Sequence, residues 1–146
     1  MTELEMQKEI SFKRVLQGQI CIPNITLFGK GNTEVDLLII TKNNSLIEVE
    51  IKVSIQDFKN DFKKKYFHNH EDISRVYFAF PLDLFERYKP LILDMLPQKF
   101  GIITVEGIKM NSKVQRLAAK QSNVVISDEV KTNYMRLGCM KWCSIR

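Results

Sequence analysis

The segment EVDLLIITKNNSLIEVEIKV, residues 34–53, decides the fold because it contains two apolar runs separated by the polar residues KNN. Two such runs around a short polar break are typical of a β-hairpin, and we predict strands over 34–41 and 45–53. Strand residues two apart point to the same face of a sheet. Glu48, Glu50 and Lys52 should therefore share one face of the second strand. On the first strand, one face should carry Val35, Leu37 and Ile39, and the other Asp36, Leu38 and Ile40.

The register of the hairpin determines which residue Asp36 meets. A loop of Lys42–Asn44 places Asp36 opposite Glu50, whereas a loop of Asn43–Ser45 places it opposite Lys52. In both registers the three charged side chains converge, with cross-strand neighbours about 5 Å apart. A two-residue loop would set carboxylates among aliphatic side chains, which the hydrophobic pattern excludes.

The rest of the chain alternates helical and strand patterns around this hairpin. The order is α-β-β-β-α-β, then α-β and a final helix, which predicts an α/β fold with a central mixed β-sheet flanked by helices. Residues 1–146 form a single domain in this reading. Because a crossover helix precedes the strand at 75–80, that strand should run parallel to the second hairpin strand. The predicted segments are a helix at 3–17, an edge strand with Pro23 at 19–28, a helix at 55–67, a strand at 75–80, a helix from Leu82 that breaks at Pro90, a strand at 100–105 and a helix at 127–142.

Composition limits the class of protein. The chain has 146 residues, a net charge of +5 and three cysteines. An odd number of cysteines argues against a disulfide framework, and no apolar run approaches the roughly 20 residues that span a bilayer. The charged N-terminal residues do not form a signal peptide, so we expect a cytoplasmic protein without a membrane association. The basic balance permits a polyanionic partner.

Two neighbouring carboxylates need compensation. At about 4 Å they repel by roughly 4 kcal/mol in a partly buried site. Solvent, a shifted pKa or a divalent cation can relieve that repulsion, and Mg²⁺ prefers one or two carboxylates together with several waters. A water held in this way is a nucleophile for a phosphodiester, and the adjacent Lys52 could orient it or stabilise developing charge.

The arrangement of Asp36, Glu50-x-Lys52 and the order α-β-β-β-α-β resembles the PD-(D/E)xK nuclease superfamily, whose fold is restriction-endonuclease-like. The resemblance covers about residues 3–80, with Val35 in place of the motif's proline. It implies that Asp36 and Glu50 bind Mg²⁺ or Mn²⁺ and that Lys52 serves the attacking water and the scissile phosphate. It also implies a further glutamate from the first helix, for which Glu9 is our choice and Glu5 the alternative.

The helix after Lys52 is rich in lysine, and its first turns should lie beside the site. Lysines on a helix are ordinarily solvated, with Asp57 and Asp61 as i, i+4 partners, but phosphate contact is an equal alternative here. Phe58 and Phe62 should belong to the core. Glu48 should pair with a lysine, with a further metal contact as the alternative. His68 and His70 have the H-x-H spacing of a metal-binding pair, but in a loop between helix and strand we expect them to lie in solvent. The candidate nucleic-acid contacts are Gln56, Lys59, Lys63 and Lys64.

These observations predict a metal-dependent nuclease that hydrolyses phosphodiester bonds in nucleic acid, with DNA as the expected substrate and DNA repair or processing as its setting. A chain of this size has little surface for sequence readout, so a homodimer or a larger complex would supply further contacts. Two alternatives remain open: a non-catalytic nucleic-acid-binding module with the same fold, and a protein-interaction domain with a solvated charged face.

Overall fold

The computed structural model describes residues 1–29, 33–62, 68–107 and 111–144. The predicted element order is confirmed, with one strand more than expected, β6. The elements are α1 (Glu3–Leu16), β1 (Ile20–Thr26), β2 (Glu34–Ile40), β3 (Leu46–Ile51), α2 (Ile55–Asp61), β4 (Ile73–Pro81), α3 (Leu82–Met95), β5 (Gly101–Val105), β6 (Ser112–Arg116) and α4 (Asp128–Ser144).

The strands form one six-stranded sheet in the order β1-β2-β3-β4-β5-β6. β1, β2 and β3 are antiparallel neighbours, β3, β4 and β5 are parallel, and β6 returns antiparallel to β5. The sheet is therefore mixed and open, as expected for an α/β fold that is compatible with a restriction-endonuclease-like core. β1 lies at an edge, where Pro23 removes no hydrogen bond from an interior ladder.

The hairpin adopts the first of the two predicted registers. Leu37 pairs with Val49 and Ile39 with Ile47. The backbone N–H of Thr41 donates to the carbonyl of Ser45 at 3.0 Å, which closes a loop of Lys42–Asn44. Asn44 has φ +64°, the left-handed conformation that asparagine tolerates at the end of such a loop.

Each face of the sheet has its own hydrophobic core. α1 covers one face, where Met6 and Ile10 are fully buried against Leu37 and Val49. The other three helices pack on the opposite face, and their buried side chains there include Phe58, Phe85, Ile92 and Tyr134. Glu48, Glu50 and Lys52 are buried as well, so a charged row lies within this packed sheet.

One predicted face assignment is wrong. Val35 packs in the cluster of Leu38 and Ile40, whereas Leu37 belongs to the core under α1. The alternation is interrupted at Asn24 of β1, which has φ +47° and lies between the pairs Pro23↔Leu37 and Ile25↔Val35. A left-handed residue turns the strand locally, as a bulge does, so side chains on either side no longer alternate.

The helix boundaries follow local chemistry. The Ser54 side chain accepts from the Asp57 N–H and caps α2, the role that serine favours at a helix N-terminus. The described part of this helix ends at Asp61, and residues 63–67 of the predicted segment lie outside the described residues. α3 is interrupted at Tyr88, with φ −114° and ψ 20°, two residues before Pro90, which confirms the predicted break. Within the described ranges, every helix is too short or too polar to cross a membrane.

Gly101 tests the packing of the sheet. A Cβ at this position would lie 2.3 Å from Tyr77 Cε1 and 2.7 Å from the backbone nitrogen of Ala118. Because that backbone is fixed by its neighbours, we expect Gly101→Ala to lower the free energy of unfolding by about 2–3 kcal/mol in urea titrations. Leu117→Ala, at a side chain that is 76% exposed, serves as control and should change it by less than about 0.5 kcal/mol. Equal effects of the two substitutions would contradict this account.

Candidate functional site

The charged residues at the end of β3 are nearly inaccessible. Glu48 is 0% exposed, and Glu50 and Lys52 are each 4% exposed. α2 begins three residues after Lys52 and folds back so that Phe58 packs on Phe78 and Phe80 of β4. The sequence predicted a sheltered face for these residues; the structure shows that α2 provides the shelter.

Lys52 is held by two carboxylates. Its Nζ lies 3.1 Å from Glu50 Oε1 and 3.1 Å from Asp61 Oδ1. Burial by itself would lower the pKa of Lys52, but the negative charges of Glu50 and Asp61 outweigh burial and raise it. Asp61 was predicted as a solvated partner of the helix lysines; it is instead 1% exposed and directed into the protein, because it shares the buried side of α2 with Phe58.

His68 completes this buried network. Its Nδ1 lies 2.6 Å from Glu48 Oε1, and its Nε2 bonds to Asp61 Oδ2. Burial would lower the pKa of His68, but the hydrogen bonds to Asp61 and Glu48 raise it to about 9, so the ring is cationic at neutral pH. The expectation that His68 lies in solvent is wrong, since it is 6% exposed. Glu48 was expected to pair with a lysine and pairs with this histidine.

Asp36 lies where β2 and β3 separate. The backbone pairing of the two strands ends at Leu37↔Val49, and beyond it the Ile51 N–H donates to Asp36 Oδ2 at 2.8 Å. The side chain thus takes over a position that the strand backbone would otherwise fill. Burial, followed by the negative charge of Glu50, raises the pKa of Asp36 to about 7. Asp36 and Glu50 are therefore close enough to repel each other, as the register predicted.

The helix glutamate nearest this pair is Glu3. Its charge contributes to the raised pKa of Asp36, and its own pKa is raised by burial, then by Asp57 and Glu50. Glu9, the residue predicted for this role, lies six residues or about 9 Å further along α1. Glu5, the alternative, accepts from the Thr2 N–H at 2.6 Å and serves the helix cap.

Gln7 connects α1 to the strand that carries Asp36. Its side chain is 1% exposed, and its Nε2 donates to the Asp36 carbonyl at 2.8 Å and to Asn24 Oδ1 at 3.0 Å. These bonds fix the backbone at the position where β1 is irregular and β2 leaves β3. Gln7 therefore holds the Asp36 backbone from the face of the sheet that α1 covers.

The predicted nucleic-acid contacts lie on or after α2. Gln56 and Lys59 are exposed, and Gln56 Nε2 donates to Asn60 Oδ1 at 2.9 Å. Lys63 and Lys64 lie outside the described residues. Lys59 is thus available to a partner, while the side chain of Gln56 is already engaged along its own helix.

The donor set at the Asp36–Glu50 pair fits a hard divalent cation. It consists of carboxylate oxygens. Glu3 adds negative charge near Asp36, and Asp57 and Glu34 add negative charge near Glu3. Lys52 offsets part of this charge, yet the pKa of Asp36 remains raised. An oxygen-lined position with excess negative charge and access to solvent is the environment that Mg²⁺ or Mn²⁺ requires.

Sequence reasoning missed four residues of this site: Glu3, Gln7, Asp61 and His68. A signal existed for Asp61, because Phe58, Asp61 and Phe62 recur at helical spacing and place the carboxylate on the apolar side of α2. For Glu3 and His68, no local sequence pattern indicates that they lie at this site. Their positions depend on how α1 and the segment before β4 approach β3.

Because the pKa of Asp36 is raised, replacing this residue should increase the free energy of unfolding by an amount that depends on pH. A folded-state pKa above the ordinary value means that this carboxyl stabilises the fold at low pH, and the contribution is lost as pH rises through about 7. In EDTA, Asp36→Asn should therefore gain stability relative to wild type between pH 4 and 7, by about 2 kcal/mol after allowance for partial exposure. Urea unfolding at several pH values measures the difference, and a constant difference across this range would contradict the assignment.

Comparisons with known proteins bear on fold and family. A sequence profile described as "DNA repair protein MmcB-like" matches residues 3–143. The solved structure of the SPO1766 protein of unknown function from Silicibacter pomeroyi is similar, with a TM-score of 0.67 at 14% identity, over 98% of this chain and 87% of that one. At that identity the likeness shows the fold alone. No curated protein sequence matches the chain.

Proposed function

Since the chain belongs to the MmcB-like family of DNA repair proteins, we propose that it is a metal-dependent nuclease of the PD-(D/E)xK type that hydrolyses phosphodiester bonds in DNA. The family supports a role in DNA repair or processing. The hydrolytic activity, the metal and the residue roles are our proposal, and they rest on the geometry around Asp36 and Glu50.

The observation that carries the proposal is the position of Asp36 beside Glu50 where β2 and β3 separate, with Lys52 compensating only part of the negative charge. Asp36 is only partly buried, and its pKa is raised to about 7 by burial and by Glu50. A pair placed only for stability would be neutralised by nearby cations, because unrelieved repulsion destabilises the fold. Groups whose pKa is shifted in this manner cluster at functional sites.

In this proposal Asp36 and Glu50 hold the Mg²⁺ or Mn²⁺ ion, and Glu3 lies where it could add a third carboxylate. The bound ion would supply Lewis-acid activation of a water and charge stabilisation at the phosphate. Lys52 keeps its ammonium beside Glu50 at 3.1 Å, where it can stabilise negative charge that develops during hydrolysis. Asp61 holds Lys52 in that position from α2.

DNA must approach an acidic opening. Glu3 acts on Asp36, and Asp57 and Glu34 lie close enough to Glu3 to raise its pKa. These carboxylates would repel a phosphate in the absence of a cation. The exposed Lys59 of α2 offers compensating positive charge on the helix that follows the site. The metal and this basic helix would therefore act together to admit the DNA backbone.

A non-catalytic DNA-binding module is the second candidate, and the burial of Lys52 favours it. Lys52 is 4% exposed and contacts two carboxylates at 3.1 Å. An ammonium held so tightly can serve the stability of the fold alone. The proposed activity requires that the Lys52 ammonium also interacts electrostatically with a phosphate bound at Asp36.

Metal binding and cleavage test the nuclease proposal. We expect isothermal titration with Mg²⁺ to show one site, and Asp36→Asn or Glu50→Gln to weaken its affinity at least tenfold. With Mg²⁺ the wild type should nick supercoiled plasmid, and Asp36→Asn should lower that rate at least 100-fold while remaining folded. Asp94→Asn removes an exposed carboxylate of α3 and should behave as wild type.

The contrary result separates the two candidates. If Mg²⁺ and Mn²⁺ fail to support cleavage of supercoiled, branched or single-stranded DNA, the nuclease proposal is wrong. DNA affinity that falls steeply with salt would then leave the binding module. No affinity at any salt concentration would leave a protein-interaction role.

Lys59 tests the position of the DNA backbone. If Lys59 contacts one phosphate, Lys59→Ala should reduce the slope of log K against log salt concentration by about 1 and weaken binding equally for all sequences. Lys120 is a matched control. It is exposed, and its neighbour Gln121 donates through its N–H to Ser74 at the start of β4, four residues before Phe78, which pairs with Glu50. Fluorescence anisotropy at several salt concentrations measures both, and an unchanged slope for Lys59→Ala would exclude this contact.

A further inference from the structure

A second cluster of ligand atoms lies deeper in the sheet, beyond the Asp36–Glu50 pair. Glu48, Glu50 and His68 each offer one ligand atom, and these atoms all lie within 4.8 Å of one another. The three side chains are 5% exposed or less. Two come from the middle and end of β3, and the third comes from the segment that precedes β4.

One carboxylate oxygen of Glu48 has an unsatisfied bonding position in this cluster. Its Oε1 is 2.6 Å from His68 Nδ1, whereas its Oε2 is buried and has no hydrogen-bond partner in the part of the chain that the structure describes. An unsatisfied polar atom in the interior destabilises the fold, and a charged one does so more strongly. A carboxylate oxygen in this state is a strong candidate for coordination.

His68 is oriented as metal-binding histidines are. Such histidines use one ring nitrogen for the metal and donate from the other to a carboxylate. Here the Nε2 side bonds to Asp61. The Nδ1 side bonds to Glu48 at 2.6 Å and lies 4.0 Å from Glu50, so a metal ion would take the place of the Nδ1 proton. The ring is also wedged edge-on against Phe78, with 5.1 Å between ring centroids, so its direction is fixed.

The charges of the buried network favour a divalent cation. Glu48, Glu50 and Asp61 bring three carboxylates, and Lys52 brings one ammonium. A divalent ion bound in place of the imidazole proton would make the network of these five residues electrically neutral. Buried charges are stable when they are paired or coordinate metals.

We propose that Glu48, Glu50 and His68 bind a first-row transition-metal ion, with Mn²⁺ as the best match to one imidazole and two carboxylates. The imidazole nitrogen disfavours Mg²⁺ and Ca²⁺, which take oxygen ligands. Ligands about 2.2 Å from an ion at right angles to each other are about 3 Å apart, so the contact between His68 and Glu48 opens by a few tenths of an ångström. This site shares Glu50 with the proposed nuclease site but does not depend on nuclease activity.

Pulsed EPR of bound Mn²⁺ tests the site, because it detects the ¹⁴N nucleus of a coordinated imidazole. The chain has two histidines, which makes the assignment simple. We expect ¹⁴N modulation in the wild type, its retention in His70→Gln, and its loss in His68→Gln together with one equivalent of Mn²⁺. Glu48→Gln, a nearly isosteric change, should weaken that equivalent at least tenfold. Retained ¹⁴N modulation in His70→Gln still assigns the ligand to His68 should His68→Gln fail to fold, and its loss in His70→Gln would overturn the site.

Asp36→Asn separates this inference from the proposed function. Retained ¹⁴N modulation in Asp36→Asn supports the inner site, whether or not the variant cleaves DNA. Mn²⁺ bound without ¹⁴N modulation, and lost in Asp36→Asn, overturns the inner site and leaves the proposed nuclease site intact. Absence of Mn²⁺ binding in the wild type overturns both.

Discussion

The structure of the site depends on the ion pairs that Lys52 makes with Glu50 and Asp61, each at 3.1 Å in a nearly dry interior. They join the end of β3 to the buried side of α2, so the helix cannot move without separating buried charges. Removing one partner of a buried pair typically destabilises a protein by about 3–5 kcal/mol. This constraint brings α2 against the sheet and buries Glu50 and Asp61, whereas Asp36 remains partly exposed.

The carboxylates on and beside β3 are compensated by different partners at different positions. Around Glu48 the balance is achieved by His68, whose pKa is raised to about 9, with Asp61 and Glu48 overcoming its burial. Near the strand's end Lys52 offsets Glu50. At Asp36 the negative charge of Glu50 is only partly compensated, and together with burial it raises the pKa of Asp36 to about 7. The site therefore contains a buried ionic network around Glu48 and an outer position at Asp36 where negative charge is only partly compensated.

Three elements contribute to the placement of Asp36. From the face that α1 covers, the Gln7 side chain donates to the Asp36 backbone carbonyl at 2.8 Å. From within the sheet, the Ile51 N–H holds its carboxylate at 2.8 Å. The irregularity at Asn24 in the edge strand lets β2 depart from strict alternation there. Position and electrostatics of the proposed metal ligand thus arise from three separate elements, none of which could fix it alone.

The sequence by itself determined the element order, the hairpin with its two possible registers, and the shared face of Glu48, Glu50 and Lys52, because these follow from local periodicity and turn chemistry. Even the buried position of Asp61 was encoded in helical spacing. Only the tertiary structure decided that Glu3 rather than Glu9 approaches Asp36, that His68 enters the interior, and that Val35 changes core. These outcomes depend on how helices and loops distant in sequence pack against β3, and packing between distant segments leaves no periodic trace in the chain.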